Sequence, residues 1–459
     1  MNTHQHTAAP SVPESDPGWP APHRSSPVHG QVTVPASKSL TNRYLLLAAL
    51  AQGPSVVVHP LDSRDSSLML GALEALGAGT EHIERWDASG EAAVRLTPLG
   101  LTPLSLNPRP PSSEPVSVDC GLAGTVMRFL PAVAALTRRR VRFDGDPEAR
   151  IRPMGAVLEG LRALSAQVQE EGTAGHLPFV VHAPEGISGG EVSIDASASS
   201  QFVSGLLLAA PSMPQGLTLR HTGTEVPSLE HVEMTLQVLA ELGVETSSPA
   251  PFTWRVEPGP IAPFTVRVEP DLSNAGPFLC AAAVTSGEVS MPGWPLESTQ
   301  IGRRWPKLLS DFGCEVSLTP TSETTGTLTV RGPTQLVSPG AIDGTAELTP
   351  TVAALAALCA GETTFTSVGH LRGHETDRIA ALVREVRRLG GTAEETADGF
   401  RILSPVRSPA TVLSYADHRM ATFAAVLGLA VPGVVVEDIG STAKTMPDFP
   451  HRWSALVGA

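Results

Sequence analysis

One arrangement recurs six times along the chain. A small polar cluster runs straight into an apolar helix: "SKSLTNRYLLLAAL" from 37, "GLAGTVMRFLPAVAAL" from 121, "SSQFVSGLLLAA" from 199, "SNAGPFLCAAAV" from 273, "TAELTPTVAALAAL" from 345 and "DHRMATFAAVLGLA" from 417. The spacing is roughly 70 to 90 residues, longer than a solenoid repeat. Each apolar helix leads through a break into a short β-rich run, such as "SVVVH", "RVRFD" or "TTFTS". An amphipathic helix follows, as in "VEMTLQVLAELG" and "DRIAALVREVRRLGG", with apolar residues recurring at three and four. The first five units then add short strands; the sixth stops at Ala459 after its second helix.

Six units divide into two groups of three. "HGQVTVPAS", at 29 to 37, is a strand with no unit before it. We expect it to supply the strand missing from the end, so that both chain ends share a domain. The expected division is a disordered tail over 1–27, one domain over 38–264, and a second over 28–37 plus 265–459. The chain would cross between domains near 37 and near 264. Two domains joined by two thin strands are built to hinge.

The tail is rich in Pro, Ser and His, with no apolar core of a signal peptide and few arginines. No apolar run reaches membrane-spanning length, because Pro432 and Gly433 cut "AVLGLAVPGVVV". Lys plus Arg total 32 and Asp plus Glu 46, a formal charge of −14 that disfavours nucleic acid and anionic membranes as partners. A small anionic ligand would need a locally basic site. The four cysteines, Cys120, Cys280, Cys314 and Cys359, form no CxxC pair and read as buried thiols of a reduced, cytoplasmic protein.

Helix N-termini present unpaired N–H groups and attract anions. Ordinary capping explains Ser199 or Asn274. It does not explain Lys38, Arg43, Arg128 and Arg419, cations at the wrong end for the helix dipole. A bound phosphate or carboxylate would offset them. The later loop "HLRGHETDRIAAL" adds Arg372, His374, Glu375, Asp377 and Arg378, and "STAKTMPDF" adds Lys444. Glu347 and Glu375 are carboxylates beside these cations and suit acid–base work. Asp377 is expected to pair with Arg378. "ASKS" resembles the end of a phosphate-binding loop but lacks its glycines; no metal-site spacing is present.

Seven motifs occur together and in order: "SKSLTNR", "AGTVMR", "RPMG", "SSQF", "ETDR", "DHRMA" and "TAKTMPD". From about residue 29 to the end, the chain resembles the 5-enolpyruvylshikimate-3-phosphate (EPSP) synthase family. The resemblance implies an inside-out α/β barrel in two domains, each of three βαβαββ units. It implies transfer of the enolpyruvyl group of phosphoenolpyruvate to the 5-hydroxyl of shikimate 3-phosphate, without a cofactor, in aromatic amino acid biosynthesis. The family's inhibitor is glyphosate. By position, Lys38, Ser39, Arg43, Ser199, Ser200, Gln201, Ser228, Glu347 and His374 would hold shikimate 3-phosphate. Lys38, Gly124, Arg128, Gln201, Arg378, His418, Arg419 and Lys444 would hold phosphoenolpyruvate. Lys38, Glu347 and Glu375 would be catalytic. A monomer is expected.

The chain departs from the usual pattern at several places. Glu347 stands for an aspartate, Leu122 and His370 for asparagines, His374 for a lysine, His231 for a tyrosine, Glu148 for an arginine and Phe129 for a proline. Arg150 or Arg152 would compensate for Glu148. Two rival readings stay open: an enolpyruvyl transferase acting on a UDP-sugar through a cysteine, with Cys120 as candidate, and a non-catalytic sensor of phosphorylated metabolites.

Overall fold

A computed structural model describes residues 18–87, 90–101, 114–373 and 375–458. The strands form five four-stranded sheets and one three-stranded sheet. One unit shows the plan. Val116–Asp119 and Val141–Asp144 pair in parallel, joined by the helix Gly124–Leu136. The helix Gly155–Ala163 follows, and an antiparallel pair, Gln167–Glu170 and Phe179–His182, completes the sheet. Parallel neighbours need such a crossover, which is why each unit carries a helix between its first two strands.

The six helices seen as apolar runs in the sequence are the inner ones. They span Lys38–Leu50, Gly124–Leu136, Gln201–Ala209, Leu272–Thr285, Thr349–Ala356 and His418–Ala430. They are apolar around nearly their whole circumference, so they are buried on every side. The second helix of each unit keeps an exposed face, as in Arg378–Arg388 and Glu230–Glu241. Where inner helices touch, small residues let backbones approach. A Cβ at Gly205 would run into the carbonyl of Arg128.

Among the described residues there are two large hydrophobic cores and a small third cluster of Val56, Val58 and Ala93. One gathers residues from Ala36 to Val268; the other takes Ala21 to Val34 and Leu272 to Val457. The strand exchange between them differs from expectation in three ways. His29–Gln31 does not complete the sixth unit; it pairs in parallel with Glu288–Pro295 of the fourth. The sixth unit is completed by Trp19–Pro20, which pairs antiparallel with Val435–Val436. That strand lies in the stretch expected to be disordered, and Ala21 beside it is buried; residues 1–17 lie outside the described residues. Finally, Thr265–Arg267 belongs to the first lobe, where it pairs in parallel with Val56–Val58. The return crossing is therefore at 268–271, not 264.

The two crossings lie side by side. Ala36 bridges Pro270, Ser37 N–H donates to the Glu269 carbonyl at 2.8 Å, and Asp271 N–H donates to the Pro35 carbonyl at 2.8 Å. Each crossing ends on an N-cap. Ser37 caps the helix from Lys38, and Asp271 caps the helix from Leu272, its carboxylate accepting from Asn274 N–H at 3.0 Å.

Candidate active site

The mouths of the inner helices converge on one cleft between the lobes. The first lobe contributes Lys38, Ser39, Gly124, Arg128, Ser199, Ser200, Gln201 and Ser228. The second contributes Glu347, Glu375, Arg378, His418, Arg419 and Lys444. These residues span more than four hundred positions in sequence, and the fold brings them to one place. Six cations (Lys38, Arg128, Arg152, Arg378, Arg419 and Lys444) line the cleft against four carboxylates, Asp65, Asp271, Glu347 and Glu375. The cleft is thus locally positive in a protein of net charge −14.

In the first lobe, Arg128 is buried in the first turn or so of its helix. Its Nη1 donates to Gln201 Oε1 at 2.9 Å and to Ser199 Oγ at 3.3 Å, and its guanidinium lies over the Phe202 ring at 5.1 Å. Burial, and then the neighbouring Arg152, push it well below its ordinary value. Arg152 donates through Nη1 to the Leu122 carbonyl at 3.1 Å. The Nε atoms of both arginines are buried with no hydrogen-bond partner. Two guanidiniums held together and, among the described residues, hydrogen-bonded to no carboxylate are suited to an anion. Gly124 opens the seat. A Cβ there would stand 3.0 Å from Gln201 Oε1 and 3.1 Å from Arg152 Nη2.

The second lobe is built differently. Glu375 lies between Lys444, whose Nζ is 2.6 Å away, and Arg378, whose Nη2 is 2.8 Å away. Arg378 also meets fully buried Asp417, donating from Nε at 2.7 Å and Nη2 at 3.2 Å. Burial alone would lower the Arg378 guanidinium, but Asp417 and Glu375 outweigh it and raise it above its ordinary value. Asp417 is also an N-cap, accepting Arg419 N–H at 2.8 Å. The cap therefore orients Arg378 and Arg419 together. Lys444 is lowered by burial, which Glu375 only partly offsets. His418 is pushed well down by burial and by Arg419, and stays neutral at physiological pH.

Glu347 sits in the short turn Ala346–Leu348. Its Oε1 accepts from Ser273 Oγ at 3.3 Å, and its Oε2 is 3.6 Å from His231 Nε2 in the opposite lobe. Burial raises this carboxyl, but His231 and Arg419 overcome it and hold the group well below the usual carboxylate range. A second interlobe contact joins Ser228 Oγ and His370 Nε2 at 3.5 Å. Ser228 (φ 52°) and Ala346 (φ 39°) both hold left-handed backbone at the cleft wall. Such strain is retained where the surroundings fix a functional geometry.

Some expected residues are placed elsewhere. Arg43 does not line the cleft. It lies behind Ser39, whose carbonyl it meets at 2.9 Å, and gives its other donors to Thr235 Oγ1, Ser204 Oγ and the His231 carbonyl. Burial lowers it to about 9. Asp377 does not pair with Arg378. It accepts Ala380 N–H at 3.0 Å as an N-cap and meets Arg372 at 3.2 Å. His374 lies outside the described residues. Of the two arginines named against Glu148, Arg152 enters the cleft, while Arg150 pairs with Asp144. Asp65, Ser273 and Thr125 also line the cleft and were not singled out in the sequence. Only their places beside helix mouths could have signalled them. Cys120 is fully buried, and burial together with Asp119 and Asp144 pushes its thiol up, away from nucleophilic use.

The model of one family, EPSP synthase (3-phosphoshikimate 1-carboxyvinyltransferase), matches residues 22–453. A 3-phosphoshikimate 1-carboxyvinyltransferase of Kocuria rhizophila is 51% identical over 444 residues, covering 96% of this chain and 97% of its own length. Two solved structures of EPSP synthase from Acinetobacter baumannii share the fold. One has a TM-score of 0.75 at 22% identity, covering 96% of this chain and 97% of the other; the second has 0.73 at 21%, covering 96% and 98%. With nearly the whole length matched, the chain belongs to the EPSP synthase family.

Proposed function

We propose that the cleft divides the family's reaction between its two lobes. The enzyme transfers the enolpyruvyl group of phosphoenolpyruvate to the 5-hydroxyl of shikimate 3-phosphate. Ser199, Ser200, Gln201 and Ser228 hold the shikimate phosphate and ring hydroxyls, with Lys38 and Ser39 at the adjoining helix mouth. Phosphoenolpyruvate lies between Arg128 and Arg152 on one side and Arg378, Arg419 and Lys444 on the other, with Gly124 leaving room and His418 neutral beside it. Arg43 supports Ser39 from behind rather than meeting the ligand. His374, whose place beside Glu375 is adjacent in sequence, completes the shikimate 3-phosphate side.

The chemistry is addition followed by elimination. Glu347, held ionised, accepts the proton of the attacking hydroxyl as the new C–O bond forms. Glu375, between Lys444 and Arg378, takes part in protonating the methylene carbon. The result is a tetrahedral intermediate carrying phosphate. The C–O bond to phosphate then breaks, phosphate leaving with the bonding electron pair and the proton taken up by Glu347, while a methyl proton returns to the Glu375–Lys444 pair and the enol ether is restored. Lys38, Lys444 and the arginines offset charge as it develops, and closure of the lobes excludes water.

The observation that carries this reading is the convergence of six cations and the carboxylates of Glu347 and Glu375, from both lobes, on one cleft. We further propose that the lobes hinge about 34–37 and 268–271, and that the enzyme acts as a cytoplasmic monomer, since one chain builds both walls. The test is phosphate release on adding shikimate 3-phosphate and phosphoenolpyruvate to purified protein. Release only with a UDP-sugar acceptor, or binding of both substrates without release, would overturn it. Small-angle scattering with and without shikimate 3-phosphate tests the hinge; an unchanged radius of gyration counts against it.

A further inference from the structure

His231 opens toward the cleft from the first turn of the helix Glu230–Glu241. Its carbonyl is fixed by three donors: Arg43 Nη2 at 2.8 Å, Thr235 Oγ1 at 2.9 Å and Ser204 Oγ at 3.1 Å. This anchoring explains why Arg43 turns inward. From that fixed base the ring reaches across the cleft, placing Nε2 3.6 Å from Glu347 Oε2. Both side chains are about one-fifth exposed, at 20% and 18%. On the other side, Ser273 holds the second carboxylate oxygen.

We propose that His231 is the positioning residue for Glu347: its charged imidazole orients the carboxylate toward the acceptor hydroxyl and draws the second lobe onto the first. The proposal rests on reading Glu347 as the base. His231 itself touches no reacting atom. Among the described residues, the groups that meet His231 from other elements are Glu347 and His370 from the second lobe and Arg43 from the helix beneath, while its own first turn carries Glu230 and Glu233. Of the groups that reach it from other elements, Glu347 is the anion. An imidazole loses its charge within the physiological range. The 3.6 Å contact pairs opposite charges across the lobes only while the imidazole carries its second proton. Because the pair spans both lobes, its effect falls on the KM for shikimate 3-phosphate more than on kcat.

The test compares wild type, His231→Gln and His231→Lys from about pH 5.5 to about pH 9, where imidazole titrates and a lysine amine does not. Backbone anchoring through the carbonyl is kept in both variants. The expected ratio of kcat/KM, wild type over His231→Gln, is on the order of tenfold at the acid end and near one at the alkaline end. The ratio of His231→Lys to His231→Gln should stay level with pH. Parallel profiles separated by one constant factor would overturn the proposal, since a ring that only packs gives that result. Shikimate 3-phosphate binding is then measured by calorimetry in Glu347→Gln, with and without His231→Gln. The pH-dependent effect of His231 should vanish in that background; its persistence would also overturn the proposal. Full turnover by Glu347→Gln alone would instead defeat the base reading, while the binding cycle still decides the pair.

Discussion

The Arg128–Arg152 pair of the first lobe and the Arg378–Lys444 pair of the second are held in opposite ways, while Lys38 in the first lobe is already met by Asp65 at 3.3 Å. In the first, Arg128 and Arg152 sit together and, among the described residues, bond only to neutral oxygens. In the second, Arg378 and Lys444 are already met by Glu375 and Asp417. A buried charge without a counter-charge is costly, and a bound anion relieves that cost. On the proposed reading, the Arg128–Arg152 pair is an open seat that a bound anion completes. The second is a closed network, folded around its own carboxylates and able to share protons with a substrate. The difference suggests why the carboxylates proposed for proton transfer, Glu347 and Glu375, both belong to the second lobe.

The largest expected effect is on turnover. Glu347→Gln and Glu375→Gln should each lower kcat by roughly 10² to 10⁴ while leaving shikimate 3-phosphate binding within a few-fold. Steady-state kinetics with calorimetry checks both; full turnover in both variants would leave the second lobe no chemical role. Next comes stability, where the lobes should respond with opposite sign. Arg378→Met strands Asp417 and Glu375, and should cost about 3–5 kcal/mol in urea unfolding of the apo protein. Arg128→Met removes an unpaired buried charge and should be neutral or stabilising. A large loss at Arg128 would break the contrast. The same Arg128→Met variant should raise the KM for phosphoenolpyruvate by roughly ten- to a hundredfold, corresponding to about 1.5–3 kcal/mol for a charged hydrogen bond.

A smaller effect follows from Glu347. Its folded value lies below the ordinary one of 4.5, so it adds stability above that pH and loses it as pH falls through the folded value. Glu347→Gln should thus be less stable than wild type at neutral pH, and the gap should close in acid. Equal stability at every pH would remove His231 and Arg419 as its supports. The smallest effect is at the chain start. Deleting residues 1–24 removes the Trp19–Pro20 strand and the Arg24 bond to the Gly458 carbonyl. It should lower the melting temperature by a few degrees, from the second lobe only; hydrogen exchange unchanged in that lobe would argue against it.

The six units and their inner helices were legible because helix signals are local: an apolar run with a polar mouth declares itself within a dozen residues. So were most cleft residues, since a cation at a helix N-terminus needs a reason. Strand exchange was not legible. Trp19–Pro20, His29–Gln31 and Thr265–Arg267 are short, and their partners lie far away in sequence, where no local pattern points. The inward turn of Arg43 was not legible for a related cause. It shares a helix mouth with Lys38, but its partners Ser204, His231 and Thr235 lie 161, 188 and 192 residues away. Asp377 had Arg378 next to it, yet one residue further along a helix start turns a side chain away, and the N-cap position took precedence.

The central claim is that one cleft grips two anionic metabolites between unlike walls. A crystal structure of the Glu347→Gln enzyme with shikimate 3-phosphate and phosphoenolpyruvate tests it directly. The account predicts the shikimate phosphate on Ser199, Ser200 and Gln201, with phosphoenolpyruvate touching Arg128 or Arg152 on one side and Arg378, Arg419 or Lys444 on the other. Either metabolite outside the cleft, or phosphoenolpyruvate held by one lobe alone, would contradict it.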